Sequence, residues 1–472
     1  MTNTSLVLGS GNQPRSLSKP VFNIWSIEWL YFSLLLAAWC FTPFIRRYID
    51  WKSGAFNSLA LFSLVPYAML VPLAVMSFST VRLRRISPTF KTLATVWLGT
   101  FSYGLVLGIV NGNVASATFS FIQYVSPMVV GFWLTGQPIN ITAAFRRVAI
   151  ILCVFGTGVA VYGIFQYISP PPWDVFWIYS TDFTSSGLPE PFQMRIFSTL
   201  NSAGPCADVL DLVILLALQF FRLRSIWVLP VSTALGAALM LTLVRVDWIA
   251  LVIGVVVYIL LSPRRLNAIP ILGIFAFSIV LMITTLPTLL GADTHTMAIV
   301  DRLSTFNDIN DDVSAVDRKS EISDAASHSL LNPIGDGLGT IGVSARLNAH
   351  GNLLGVVLDS GYLSRLVELG WIGFVGYCYV LFAGVVSIIR APSLAGRNKD
   401  YDFRTVVATA AAMCIALIWL DAAADSHYGV DAVLFWIAMS LAGANPNLAG
   451  DSVRTPIGAK RSILSKQRPI GS

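Results

Sequence analysis

The stretch 347-LNAHGNLLGVVLDSGYLSRLVELGWIGFVGYCYVLFAGVV-386 decides the architecture. Its second half is an apolar run of membrane-helix length. Its first half carries His350, Asp359, Tyr362, Arg365 and Glu368. A helix over 362–389 would be about 42 Å long at about 1.5 Å per residue, more than a hydrocarbon layer of about 30 Å requires. Its first turns are therefore expected in the outer interface, with the polar side chains facing water. Gly370, Gly373 and Gly376, spaced by three, would let a neighbouring helix approach closely.

The rest of the chain repeats this pattern. The 472 residues are 55% hydrophobic and 12% charged, with a mean hydropathy of +0.70; a soluble domain carries about 25% charged residues. Apolar stretches predict helices over 28–44, 57–79, 90–110, 115–135, 148–168, 205–221, 226–243, 247–262, 268–289, 362–389, 404–421 and 430–444. The expected fold is an all-α polytopic membrane protein with about 12 transmembrane helices and a large extracytoplasmic loop between helices 9 and 10. A cytoplasmic tail (1–27) would precede one transmembrane domain (28–444, with outer loops 169–204 and 290–361), and a basic cytoplasmic tail (445–472) would follow it. Residues 1–27 show no apolar core followed by a small-residue cleavage site, so no removable signal peptide is expected.

The net charge of +6 reports topology and no nucleic-acid surface. Arg82, Arg84, Arg85 and Lys91 share one connection, and Arg146 and Arg147, Arg222 and Arg224, Arg264 and Arg265, and Arg390, Arg397 and Lys399 mark four more. Short basic loops stay cytoplasmic. Arg46, Arg47 and Lys52 break the rule, because this count puts them in an outer loop. Either the first two helices are miscounted or these residues serve something outside, such as an anionic lipid head group. The five cysteines lie singly in or beside apolar segments and suggest neither disulfides nor a thiolate metal site.

Loop 290–361 is acidic, with nine acids against four bases between Asp293 and Arg346. Loops this long are usually functional. Within it GDGLGTIG spells GxGxxG through Gly337, Gly339 and Gly342, but a dinucleotide site needs a βαβ unit, so a tight turn is the reading. DINDDVSAVDRK has Val313 and Lys319 where a calcium loop needs glycine and glutamate, which excludes an EF-hand. A looser divalent-ion site is the alternative there to a solvated acidic face.

Two arginines stand apart. Arg195 precedes the helix near 205, and Arg245 lies in a turn so short that it sits at or just inside the outer surface, next to Asp247. An arginine at that depth costs a few kcal/mol unless paired, so it is a functional suspect; a salt bridge to Asp247 or snorkelling is the structural alternative. Converging guanidinium groups would suit a pyrophosphate. Asp211 is an acid early in the sixth helix, open to helix-end pairing or to catalysis. Asp359 fits the N-cap of the long helix.

Together these segments resemble the superfamily of bacterial O-antigen ligases and O-antigen or exopolysaccharide polymerases, from about Arg195 to Phe382. RIFSTLNSAGP and LVRVDWIALVIG look like its two arginine segments, through Arg195 and Arg245. DDVSAVDRKSEI followed by NPIGDGLGTIG looks like its loop of serine, arginine and glycine-rich turn, through Ser314, Arg318 and Gly335 to Gly339. DSGYLSRLVELGWIG looks like its closing signature. The ligase branch usually opens that signature with histidine; this chain has Asp359, with His350 nine residues upstream, which resembles the polymerase branch.

The resemblance implies a membrane glycosyltransferase acting on undecaprenyl-diphosphate-linked glycans at the periplasmic face of the bacterial inner membrane. Arg195 and Arg245 would bind the diphosphate, and Asp359, or failing that His350, would be the catalytic base. Arg318, Tyr362, Arg365 and Glu368 would bind or support the glycan, Tyr362 by stacking on a sugar ring and Glu368 by pairing with Arg365. No metal and no cofactor are expected. Polymerisation of repeat units is the leading expectation, ligation to lipid A core or protein the second, and a lipid-linked sugar flippase or transporter the reading from another class. Transporters place polar groups at the bilayer midplane, whereas here they cluster at one surface. Expected partners are the lipid bilayer, a chain-length regulator and a flippase protein, with no nucleic acid.

Overall fold

The computed structural model describes residues 27–57, 61–137, 139–181, 184–220, 228–267, 331–347, 358, 360–394 and 401–444, with further positions between 269 and 276 and between 323 and 329. The helices are α1 (Ile27–Ser53), α2 (Leu61–Ser77), α3 (Pro88–Val110), α4 (Val114–Thr135), α5 (Ile141–Ile168), α6 (Pro172–Ser180), α7 (Ala203–Ala217), α8 (Val228–Leu241), α9 (Arg245–Leu261), α10 (Gly361–Leu394), α11 (Tyr401–Leu420) and α12 (Gly429–Met439). Six of them, α1, α3, α4, α5, α10 and α11, are long and apolar enough to cross a membrane. Among the described residues there is no strand, only an isolated bridge between Gly187 and Met194. The protein is an all-α, multi-pass membrane protein. Every expected helix meets a helix here except 268–289, which lies almost wholly outside the described residues; α6 is a short helix inside an expected outer loop.

The starts of these helices follow from local chemistry. Ser87 accepts a hydrogen bond from the Phe90 N–H with Pro88 in the first turn, and Asn140 accepts one from Thr142, so α3 and α5 each begin on a side-chain cap. In α10, Ile372, Val375 and Phe382 are exposed on one side while Tyr377, Val380 and Leu381 are buried on the other, the division expected of a helix between lipid and bundle.

Ion pairs distinguish the two ends of the bundle. At one end Glu28, at the start of α1, meets Arg82, and Asp402, at the start of α11, meets both Arg146 of α5 and Arg264 just beyond α9. This is the basic end. The opposite end gathers the end of α1, the starts of α7, α9, α10 and α12, and the end of α11.

The arginines that broke the charge rule are thereby placed. α1 runs to Ser53, beyond the expected 44, so Arg46 and Arg47 are in helix and not in a loop, at the end opposite Glu28. Arg46 pairs with Asp50 and lies over the rings of Phe56 and Trp177. Arg47 is fully buried, 2.9 Å from Asp174 of α6.

The glycine-rich stretch is a tight turn with a packing task. α10 is not continuous: Gly370 has φ 60° and ψ −173°, breaking the helix and freeing backbone carbonyls. Loop residues take them up, with Asp336 N–H donating to Val367 O and Gly337 N–H to Glu368 O, while Trp371 N–H donates back to Pro333 O. On its other side Leu338 N–H donates to Gly104 O of α3. Gly337, at φ 88°, lies so near Gly108 that a Cβ would fall 2.2 Å from its nitrogen. Irregular backbone survives in a membrane bundle where protein buries it and satisfies its polar groups. The glycines of α10 therefore admit a loop at Gly370 and the α3 residue Thr100 at Gly376.

Candidate active site

The segment 195–200 is held from every side. Its backbone receives or gives bonds through Arg195 N–H to Ser186 O (2.7 Å), Ile196 N–H to Leu241 O (3.2 Å), and Phe197 and Ser198 N–H to Gln166 Oε1 (3.1 and 2.9 Å). Gln166 in turn donates to Asp174, and Asp174 pairs with Arg47, whose guanidinium donates to the carbonyls of Ser198 and Leu200. Arg47 thus clamps this segment onto α1. A buried charge needs such a partner set, since an unpaired one costs several kcal/mol.

Arg195 reaches the turn that leads into Arg245. Arg195 Nε donates to Thr242 O (3.0 Å) and its terminal nitrogen to Ser185 O (3.2 Å). Thr242 opens the three-residue link between α8 and α9, and Arg245 is the first residue of α9. Both arginines are half-buried. They lie at the end of α9 away from Arg264, hence opposite the basic end.

The backbone around them is strained. Among the described residues three that are not glycine have positive φ: Phe192 (65°), Ser198 (52°) and Leu243 (54°). All three flank the arginines. Such conformations cost on the order of 1–3 kcal/mol each and cluster where a site over-determines its geometry.

Asp247 is buried, as are Asp208 of α7 and Asp431 of α12. Asp211 is fully buried, and neither of its carboxyl oxygens has a hydrogen-bond partner among the described residues.

The polar residues at the start of α10 turn into the protein. Arg365 and Glu368 are 3% and 1% exposed and pair at 2.9 Å, which corrects the expectation that they face water. Arg365 also pairs with Asp425 and lies over the Tyr124 ring at 4.1 Å, while Glu368 accepts the Gly339 N–H at 2.9 Å. Tyr362 is half-buried; its hydroxyl donates to Ile418 O and its ring packs edge-on to Phe374 and Tyr377. Asp359, His350 and Arg318 lie outside the described residues. Among the described residues no group of three or more potential metal-ligating side chains comes together.

Sequence reading missed Arg47, Asp174 and Gln166 as parts of the clamp, and Asp421, His427 and Asp425 beside α10. The signal for the first set was present: two arginines on the wrong side for the charge rule are arginines with a task.

Residues 230–378 match the family model for O-antigen ligase, a stretch that includes Arg245, the glycine turn and the first half of α10 and leaves out Arg195. Over that stretch, about a third of its length, the chain is similar to the O-antigen ligase family. Among curated proteins no sequence matches the chain.

Proposed function

We propose that the chain polymerises lipid-linked oligosaccharide repeat units into a surface polysaccharide at the periplasmic face of the bacterial inner membrane. The donor is a glycan on undecaprenyl diphosphate, and Arg195 and Arg245 hold its diphosphate. Support comes above all from the hydrogen bond of Arg195 to the strained turn that leads into Arg245, at the end of the bundle opposite the basic end. The start of α9 adds to their field, because helix N-termini favour anions.

In the reaction the bond from the donor's anomeric carbon to the phosphate oxygen breaks, and its electron pair leaves with the diphosphate. An acceptor hydroxyl oxygen forms the new bond to that carbon and gives its proton to a general base. Asp359, with His350 as the alternative, is the base. The two guanidinium groups neutralise charge as it develops on the leaving diphosphate, which is stabilisation of the transition state. Direct displacement inverts the anomeric configuration. Arg365 and Glu368, buried and paired, support the site through the glycine turn, and Arg318 and Tyr362 contact the glycan. The reaction needs no cofactor from the chain's own motifs, and a flippase and a chain-length regulator are the expected partners.

Reconstitution in liposomes with an undecaprenyl-diphosphate repeat unit tests this. A ladder of lengths on the lipid is the expected product. Transfer only to added lipid A core or protein would make the chain a ligase, and lipid movement without new bonds would make it a flippase.

A further inference from the structure

Helix α10 begins on a socket made by the end of α11. The Asp421 carbonyl accepts the N–H groups of Gly361 (2.9 Å) and Tyr362 (3.4 Å) and the hydroxyl of Ser360 (3.4 Å), and Ala424 O also accepts from Gly361. These are first-turn donors that the helix itself leaves unsatisfied. The carbonyl-rich end of α11 therefore faces the amide-rich start of α10, an alignment their dipoles favour.

The Asp421 side chain completes the socket. Its carboxylate accepts from the Tyr377 hydroxyl (2.7 Å) and the Ser426 N–H (3.3 Å), and lies 3.2 Å from His427 Nδ1, which is itself 3.0 Å from the Tyr377 hydroxyl. Asp421, His427 and Tyr377 are all 0% exposed. The histidine ring is walled by Phe435, Tyr377 and Trp97. Gly361 leaves its side-chain space to Asp421: a Cβ there would fall 2.0 Å from Oδ1. Polar groups sealed in a bundle are costly unless they satisfy one another, and Asp421, Tyr377 and His427 lie within hydrogen-bond reach of one another.

We propose that Asp421 and His427 are positioning residues: they fix where α10 starts by holding the backbone of Ser360 to Tyr362. This rests on the reading in which Asp359 is the general base. Neither group touches substrate, because both are sealed from solvent; they act through the backbone of 360–362. The arginine turn is on other elements and is untouched by the socket. Loss of the socket should therefore lower kcat and leave donor affinity alone.

The test uses the full chain in liposomes with an undecaprenyl-diphosphate repeat unit, measuring kcat and donor KM separately. Gly361→Ala and Asp421→Asn should each lower kcat by about 10- to 100-fold, since a displacement of about 1 Å at a reacting group costs up to about 100-fold; KM should stay within about twofold. If the damage in Gly361→Ala is the collision with the carboxylate, adding it to Asp421→Ala should cost little more than Asp421→Ala alone. A merely structural socket would give additive losses and would move KM as well. His427→Gln should fall in the same direction. Tyr377→Phe removes one hydroxyl and keeps the ring packing, so it decides the matter should the Asp421 variants fail to fold; a kcat lowered about threefold or more is expected, about the effect of one lost hydrogen bond. Wild-type kcat in Tyr377→Phe and Asp421→Asn, or losses confined to KM, would overturn the proposal. Full activity in Asp359→Asn would instead overturn the assignment of the base.

Discussion

The ion pairs at the two ends of the bundle look alike in chemistry and differ in surroundings. At the basic end Arg146, Arg264 and Asp402 are 28%, 29% and 41% exposed, and Arg82 and Glu28 are similarly wet. At the opposite end Arg47 and Asp174 are sealed at 0%, and Arg365 and Glu368 nearly so. Charges in water interact weakly and are screened, whereas charges in the interior are held by every group around them. The basic end thus holds its arginines in wet pairs, and the opposite end seals them among buried partners.

The largest effect should follow from Arg47→Ala. It leaves the Asp174 carboxylate buried without its partner and frees the carbonyls of Ser198 and Leu200, so a loss of about 3–5 kcal/mol is expected. Thermal unfolding of the purified protein in detergent should show a Tm lowered by many degrees or no folded protein at all. An unchanged Tm would mean that burial at this end carries no energetic weight, and the contrast between the ends would collapse. Arg47→Met with Asp174→Leu should recover much of the stability while the arginine segment stays loose and activity stays low.

Next in size are Arg195, in the clamped segment, and Arg245, at the start of α9. Arg195→Ala and Arg245→Ala should each reduce polymer formation by about 100- to 1,000-fold, the cost of removing one group that stabilises developing charge, equal to about 2.7–4 kcal/mol. Their Tm should stay near that of the wild type, because both side chains are half-buried. Lysine at either place should restore only part of the rate, since an ammonium group is a point charge without the two-pronged fit to phosphate. Full activity in either alanine variant would remove that residue from the site.

What could be read from the sequence follows from the range over which each interaction acts. Helix positions depend on local hydropathy, and each expected span meets a helix where the chain is described. That Arg195 and Arg245 share one end of the bundle was inferable because each stands alone before a helix. The clamp was not, because Arg47 reaches carbonyls more than 150 residues away and only contradicts a charge rule when read locally. The break at Gly370 was hidden for the same reason: its carbonyls are satisfied by residues 336 and 337, so a run that reads as one helix is two. His427 and Asp421 look like an ordinary polar link between helices until the start of α10 is laid against them.

A smaller effect is expected at the glycine turn. Gly337→Ala forces a side chain onto φ 88° and sets its Cβ 2.2 Å from the Gly108 nitrogen, so loop and α3 must separate, at a cost of about 1–3 kcal/mol. Gly54 has φ 68° with nothing within 4 Å of a Cβ, so Gly54→Ala should cost only the conformational part, about 1 kcal/mol. The difference between their Tm values measures how tightly the turn is wedged. Equal values would show that the loop gives way freely.

The smallest effect belongs to the basic end. Arg264→Ala removes one of two arginines from Asp402 and leaves Arg146 in place at 2.9 Å. With all three groups about a third exposed, the pair is worth about 0–1 kcal/mol, and at 1 M salt, where the screening length is about 3 Å, even that should vanish. Activity should equal that of the wild type, because several other basic residues still mark the same side of the bundle. A loss at this position as large as that of Arg47→Ala, persisting in high salt, would show that the wet triad braces the fold as the buried pair does, and exposure would no longer distinguish the arginines that mark topology from those that build the site.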